Sequence, residues 1–341
     1  MQFVTYRDLT DGVERAGVLD DGVVHALPGD PTMRETIALG LEAAQAQGDR
    51  ALAAAGTPLA DVRLVAPLQP ASLRDCVAFE EHVEGVRRSI DGVAGVPPEW
   101  YDAPTFYFTN PHTVIGPQDD VAFPAASVAR DFELEVAVVI GREGCSVAAA
   151  DAADHVFGYT LLNDWSARDL QAREMKVGLG PAKGKDFANT LGPAIVTPDE
   201  LAPWRDGAGF LYLWCTAAVN GVEIGHDLLS NMGWTFESMI VHASRDSRIV
   251  PGDLIGSGTT GNGGCLAELW GRRGRQDPPP LRDGDVVTIR VSGLGSLTTR
   301  ITSAAPRPDG PLVRRRDAAA ARAEHALQET KPVGHRLPTA H

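Results

Sequence analysis

Apolar and polar positions alternate in three short runs near the start of the chain, Phe3 to Tyr6, Ala16 to Leu19 and Val23 to Leu27. That is the period-two pattern of half-buried strands. Asp20-Asp21-Gly22 separates the last two runs and predicts a hairpin, because an Asp-Gly pair accepts the positive φ that such turns demand. Residues 32–55 change to an Ala-, Leu- and Glu-rich helical period that pauses at Gly48, and residues 56–70, with Pro58, Pro67 and Pro70, read as a connector. From 71 to about 303, short apolar runs recur between Gly and Pro turns: Ala137 to Ile140, Tyr159 to Leu162, Phe210 to Cys215 and Val286 to Val291. Helices are expected there only around 80–90, 164–175 and 230–245. The pattern predicts an α+β chain that is mainly β, with a small α+β domain over 1–70, a larger β-rich domain over 71–305 and a mobile tail over 306–341. Within that Pro-, Arg- and Ala-rich tail, Asp317 to Gln328 predicts a short helix. No internal repeat is visible.

Composition narrows the function classes. Of 341 residues, 43% are hydrophobic and 22% charged, which is ordinary globular usage. The 31 Lys and Arg against 45 Asp and Glu give a net charge of −14, which argues against nucleic-acid binding because that affinity rests on a basic footprint. Arg314-Arg315-Arg316 reads as a solvated end. No run approaches the ~20 apolar residues needed to span a bilayer, and Met1 to Asp20 mixes charges with apolar residues, so neither a membrane span nor a signal peptide is expected. Cys76, Cys145, Cys215 and Cys265 are far apart, which predicts neither disulfides nor a thiolate zinc site and fits a cytoplasmic location.

The candidate chemistry lies in carboxylates. In Asp131-Phe132-Glu133-Leu134-Glu135 a strand would turn Glu133 and Glu135 to one face, either as a solvated face or as a cation site. In Asn163-Asp164-Trp165-Ser166-Ala167-Arg168-Asp169-Leu170-Gln171 a strand end followed by a helix would place Asp164, Arg168 and Gln171 on one helical face, and Asp164 reads equally as an N-cap paired with Arg168. Asp75 and His82 read alone as an N-cap and a surface His. The run Gly256 to Gly264 is Gly-rich and reads alone as a set of turns before a strand.

Taken together, D-F-E-L-E, N-D-W-S-A-R-D-L-Q and G-K-D-F resemble the fumarylacetoacetate hydrolase family over roughly residues 70–300. The resemblance implies a mixed β-sandwich roll, a homodimer and a divalent metal held by Asp75, Glu133, Glu135 and Asp164. An all-oxygen ligand set favours Mg²⁺, with Ca²⁺ or Mn²⁺ as alternatives. It further implies a catalytic His82 oriented by Glu268, with Arg168, Gln171 and Lys185 stabilising developing charge. Tyr107 and Thr259 match substrate-contacting positions, although Tyr107 reads equally as core packing beside Phe106 and Phe108. The implied reaction is hydrolysis of a C–C bond in a β-diketo acid, a small keto-acid substrate of the fumarylacetoacetate or acylpyruvate kind, by water activated at His82. The alternatives are a hydratase, decarboxylase or isomerase on the same fold, or a non-catalytic scaffold.

The chain also departs from the family. Val77 stands where hydrolase members carry a substrate-contacting Tyr, and Asp91 where they carry an Arg for the distal carboxylate of the substrate. Arg87 and Arg88 lie nearby but read as exposed helix charges. Other members place a Glu three residues after the His, whereas position 85 here is Gly, which favours Glu268 as the partner of His82 and hydrolysis over decarboxylation.

Overall fold

The computed structural model describes residues 1–90, 92–306, 310 and 317–329. Its main sheet runs through Thr57–Pro58, Val23–Ala26, Glu14–Asp20, Gln2–Asp8, Asn189–Val196, Val156–Asp164, Leu134–Ile140, Leu254–Gly256, Leu73–Cys76 and Phe106–Thr109. A second sheet runs through Val222–Leu228, Trp214–Val219, Val286–Val291, Gly295–Ser303 and Val121–Phe123. Pairing is mostly antiparallel; Leu254–Gly256 beside Leu73–Cys76 is a parallel exception.

The strand Leu134–Ile140 shows how the layers form. Leu134, Val136, Val138 and Ile140 face a core shared with Cys215, Ala217, Val287, Ile289 and Leu297 of the second sheet. Ala137 and Val139 face the opposite core, with Phe3, Ile37, Ala44 and Leu162. Period two therefore feeds two cores from one strand, and Glu135 belongs to the Ala137 side. Each such aliphatic side chain contributes about 1.5–3 kcal/mol on burial. The result is an α+β, sheet-dominated sandwich roll.

The expected N-terminal hairpin forms, with Asp21 and Gly22 at φ 42° and 76°. The helical stretch breaks elsewhere than expected. Met33–Ala38 and Leu41–Leu52 are separated at Gly40, which has φ 84°, while Gly48 lies inside the second helix. There a Cβ would come within 2.2 Å of Met1 Sδ, so Gly48 serves close packing rather than a turn. Gln2 and Phe3 pair with Val196 and Ile195, so one hydrogen-bonded sheet crosses position 70. Residues 1–305 form one compact unit and the C-terminal residues a separate one. In the latter, Ala318–Glu329 is helical, and Asp317 Oδ1 accepts hydrogen bonds from the N–H groups of Ala319 and Ala320. Asp91, the Arg314-Arg315-Arg316 cluster and most of the tail expected to be mobile lie outside the described residues. The four cysteines are unpaired, and no described helix is long and apolar enough to cross a membrane.

Candidate functional site

Three strands of the main sheet, with Leu254–Gly256 between the first and second of them, bring the carboxylates together. Asp75 stands near the end of Leu73–Cys76, Glu135 lies on Leu134–Ile140 with Glu133 just before it, and Asp164 ends Val156–Asp164. All four are buried, with ligand oxygens within 4.8 Å of one another. A solvated strand face is thereby excluded for Glu133 and Glu135, and a surface cap for Asp75. Gly256 lies between them in register with Asp75, and a Cβ there would sit 2.4 Å from Asp75 Oδ1 and 3.1 Å from Glu135 Oε2.

Asp75 Oδ1, Glu135 Oε2 and Asp164 Oδ1 have no hydrogen-bond partner among the described residues. Burial, reinforced by the neighbouring acids, pushes the Asp75 and Glu135 carboxyls well above the usual carboxylate range, and burial also raises Asp164 against the pull of Lys185. Orphaned, mutually repelling buried oxygens around a gap kept open by glycine are a fit for a hard divalent cation.

Glu133 has a different environment. Its Oε1 accepts from Arg168 Nη2 at 2.6 Å and its Oε2 from Lys185 Nζ. Burial works to raise its pKa, but Arg168 and Lys185 outweigh that and hold it low. Lys185 also donates to Asp164 Oδ2 at 2.6 Å, and Tyr107 donates to the same oxygen at 2.5 Å, so Tyr107 faces the acids rather than the core. Arg168 Nε donates to Asp131 Oδ2 at 2.8 Å, and its Nη1 to Gln171 Oε1 at 3.1 Å. Thr259 Oγ1 donates to Glu135 Oε1 at 3.3 Å.

Two expectations about secondary structure need correction, and one about pairing. Asp164 is not in a helical turn: its strand continues to that residue, and the helix begins only at Arg168. Arg168 accordingly pairs with Asp131 and Glu133 instead of Asp164. The Gly-rich run leads into the helix Leu266–Arg273 rather than a strand, and Glu268 sits in its first turn. Glu268 makes no hydrogen bond to His82; its Oε1 lies 2.8 Å from Arg272 Nη2, and its Oε2 accepts from Gly263 N–H at 3.4 Å. The ring of His82 instead places Nδ1 3.6 Å from Cys265 Sγ and Nε2 3.7 Å from Glu133 Oε1. His82 is buried, which lowers its pKa to about 4 despite Glu133, so the ring is neutral near pH 7.

The helices Glu80–Ile90 and Leu266–Arg273 cross closely. A Cβ on Gly85 would lie 2.5 Å from Glu268 Cγ, and one on Gly271 would lie 1.9 Å from Gly85 O. Position 85 is glycine because Glu268 occupies that space, which leaves no room for a Glu three residues after His82. Glu84 is half-buried and pairs with Arg88. Arg87 donates to Gly95 O at 2.5 Å.

Sequence reasoning missed three supporting residues. Buried Asp131 accepts from Arg168 and from the N–H groups of Leu266 and Ala267, tying the guanidinium to the start of the Glu268 helix; its place in D-F-E-L-E was the available signal. The Glu174 carboxylate collects the N–H groups of Ala182, Lys183 and Gly184 at 2.7–3.0 Å and so positions the backbone ahead of Lys185. Cys265, noted only as an isolated thiol, faces His82. The site opens onto a cavity of about 680 Å³ lined by Asp75, His82, Tyr107, Glu133, Glu135, Arg168, Gln171, Lys185, Thr259 and a set of apolar side chains.

A fold of this kind around four carboxylates and a His defines a class. The family model for the C-terminal domain of fumarylacetoacetate hydrolase matches residues 72–302. Protein Rv2993c of Mycobacterium tuberculosis is 36% identical over 247 residues, 72% of this chain and 80% of that protein. Human mitochondrial oxaloacetate tautomerase FAHD2A is 31% identical over 287 residues, 82% of this chain and 84% of that protein. A probable 2-hydroxyhepta-2,4-diene-1,7-dioate isomerase from Mycobacterium abscessus superposes with a TM-score of 0.68 at 26% identity, covering 90% of this chain and all of that one. The chain belongs to the fumarylacetoacetate hydrolase family, whose members are enzymes acting on small molecules.

Proposed function

We propose that the chain is a divalent-metal-dependent hydrolase that cleaves a C–C bond in a β-diketo acid. The observation that carries this reading is His82, a neutral imidazole lining the cavity beside the carboxylate cluster. Asp75, Glu133, Glu135 and Asp164 would hold the cation, Mg²⁺ first and Ca²⁺ or Mn²⁺ as alternatives, and when bound it supplies Lewis-acid polarisation of the keto acid. In the tautomer that carries its proton on Nδ1, toward Cys265 Sγ, His82 has a free Nε2 lone pair beside Glu133 and takes a proton from water. The hydroxide adds to the far carbonyl. As the C–C bond breaks, its electron pair leaves with the keto-acid fragment as an enolate, which recovers the proton from His82. Lys185, Arg168 and Gln171 orient the keto acid and hold the negative charge that develops, and Tyr107 and Thr259 fix its oxygens. Glu268 sets the position of the His82 helix through the Gly85 crossing. The working form is a cytoplasmic homodimer, which light scattering tests.

A second reading, keto–enol isomerisation, is favoured by the missing Glu268–His82 hydrogen bond and by the tautomerase name of the human relative. It needs proton transfer but no water attack. The test is loss of enolised-diketone absorbance for acylpyruvates, fumarylacetoacetate and oxaloacetate, with Mg²⁺ or EDTA and with products weighed by mass spectrometry. Metal-dependent appearance of two acids supports the hydrolase. A change in enol absorbance with no change in mass transfers the assignment to a tautomerase.

A further inference from the structure

Every cationic side chain lining the cavity, among the described residues, is already paired. Arg168 is held by Asp131 and Glu133, and Lys185 by Glu133 and Asp164. All of them stand at the carboxylate end. Away from that end the lining is apolar. Val77 follows the Asp75 strand, and Val86 lies one helical turn from His82, on the same face. Met175 and Leu179 are 47% and 90% exposed, and Phe108 at the rim is 62% exposed. Such exposure of large apolar groups around a cavity mouth is where an apolar ligand removes them from water.

Arg74, Arg87 and Arg88 do not supply a substitute. Arg74 approaches Phe106 and Phe108, its guanidinium carbon 5.9 and 5.0 Å from their ring centroids, but it is buried and paired with Asp253 at 3.2 Å. Arg87 and Arg88 do not line the cavity, and they serve Gly95 O and Glu84. A second carboxylate carried into the apolar part of the cavity would lose water and find no free cation among the described lining residues, whereas a hydrocarbon tail would meet matching surface.

We infer that the part of this cavity lined by Val77, Val86, Met175 and Leu179 is a subsite for an uncharged alkyl or aryl tail. The chain therefore takes monocarboxylate keto acids in preference to dicarboxylates. This inference rests on the keto-acid reading above and names its substrate class.

The test uses the full chain with Mg²⁺ and N-alkyl oxamates, which present a keto-acid-like head and have no C–C bond for the enzyme to hydrolyse. Binding is measured by calorimetry for N-methyl, N-butyl and N-hexyl oxamate and for the same chains ending in a carboxylate. Affinity is expected to rise about fourfold per added methylene, and the terminal carboxylate to weaken binding about tenfold or more. Val86→Arg should recover about tenfold for the carboxylate-ended ligands by adding a charge-assisted partner. Affinity that ignores chain length, or equal or tighter binding of the carboxylate-ended series to the wild type, overturns the inference, as does failure of every oxamate to bind. Turnover of acylpyruvates on the same preparation separates the two claims. Tail-dependent binding without cleavage sinks the hydrolase and leaves the subsite standing, and cleavage that favours ω-carboxylated substrates does the reverse.

Discussion

Two neighbouring groups of buried carboxylates meet opposite fates. Asp131 and Glu133 are answered by Arg168, Lys185 and backbone N–H groups. Asp75, Glu135 and Asp164 each keep an oxygen without a partner among the described residues, and two of these, Asp75 Oδ1 and Glu135 Oε2, lie beside Gly256. Burial alone therefore does not tell a fully paired acid, such as Asp131 or the proposed ligand Glu133, from one with an oxygen to spare. What separates them is whether the fold completes the hydrogen bonding or leaves it to a ligand.

The contrast breaks first under substitution of an unsatisfied acid. Glu135→Gln is expected to lower turnover at least about a thousandfold and to abolish stabilisation by metal, while leaving the metal-free protein as stable as the wild type or more so, since the buried site no longer opposes ionisation of that carboxyl. In the wild type, Mg²⁺ at about a hundred times its Kd should add about 2.7 kcal/mol in thermal melts. Metal-dependent melting of the variant equal to that of the wild type would remove Glu135 from the ligand set. Asp131→Asn should behave in the opposite way and cost about 3–5 kcal/mol with or without metal, because it leaves the buried Arg168 charge short of a partner. Urea titrations with and without Mg²⁺ measure both.

A smaller effect comes from filling the gap without touching an acid. Gly256→Ala puts a methyl group 2.4 Å from Asp75 Oδ1. The expected cost is about 1–3 kcal/mol of stability from overpacking, together with weaker metal binding by calorimetry. Unchanged metal affinity would mean that the cation does not sit between Asp75 and Glu135.

How much of this was legible in the sequence depended on range. Period-two runs and the Asp-Gly turn located the N-terminal hairpin, and D-F-E-L-E with N-D-W-S-A-R-D-L-Q located the acids, because both signals are local. The break at Gly40 was not legible, since a glycine needed for positive φ and one needed for close packing, Gly48, look alike in sequence. The start of the helix at Arg168 was missed because Asp164 could end a strand or cap a helix with equal chemical sense. The contact between His82 and Cys265 spans 183 positions and leaves no periodic trace. Only the crossing of their helices explains why position 85 is glycine.

Glu268 stands between the two groups of acids and gives the subtlest test. It is buried, with a single guanidinium beside one oxygen and a long N–H contact to the other. Burial raises its pKa from 4.5 to about 7, against the pull of Arg272. Below about pH 4.5 the carboxyl is protonated in both the folded and the unfolded chain. Between there and pH 7 the unfolded chain releases the proton while the folded chain keeps it, so the folded state loses stability as pH rises through that window and then levels off. The size of the loss is about 3 kcal/mol at most, at 1.36 kcal/mol per pKa unit. Glu268→Gln cannot titrate. The stability of the wild type relative to this variant should therefore be greater at pH 5 than at pH 8, read from denaturant midpoints at the two values. A difference that does not change with pH would mean that Arg272 and Gly263 satisfy Glu268 fully, which would move it into the group of Asp131 and Glu133.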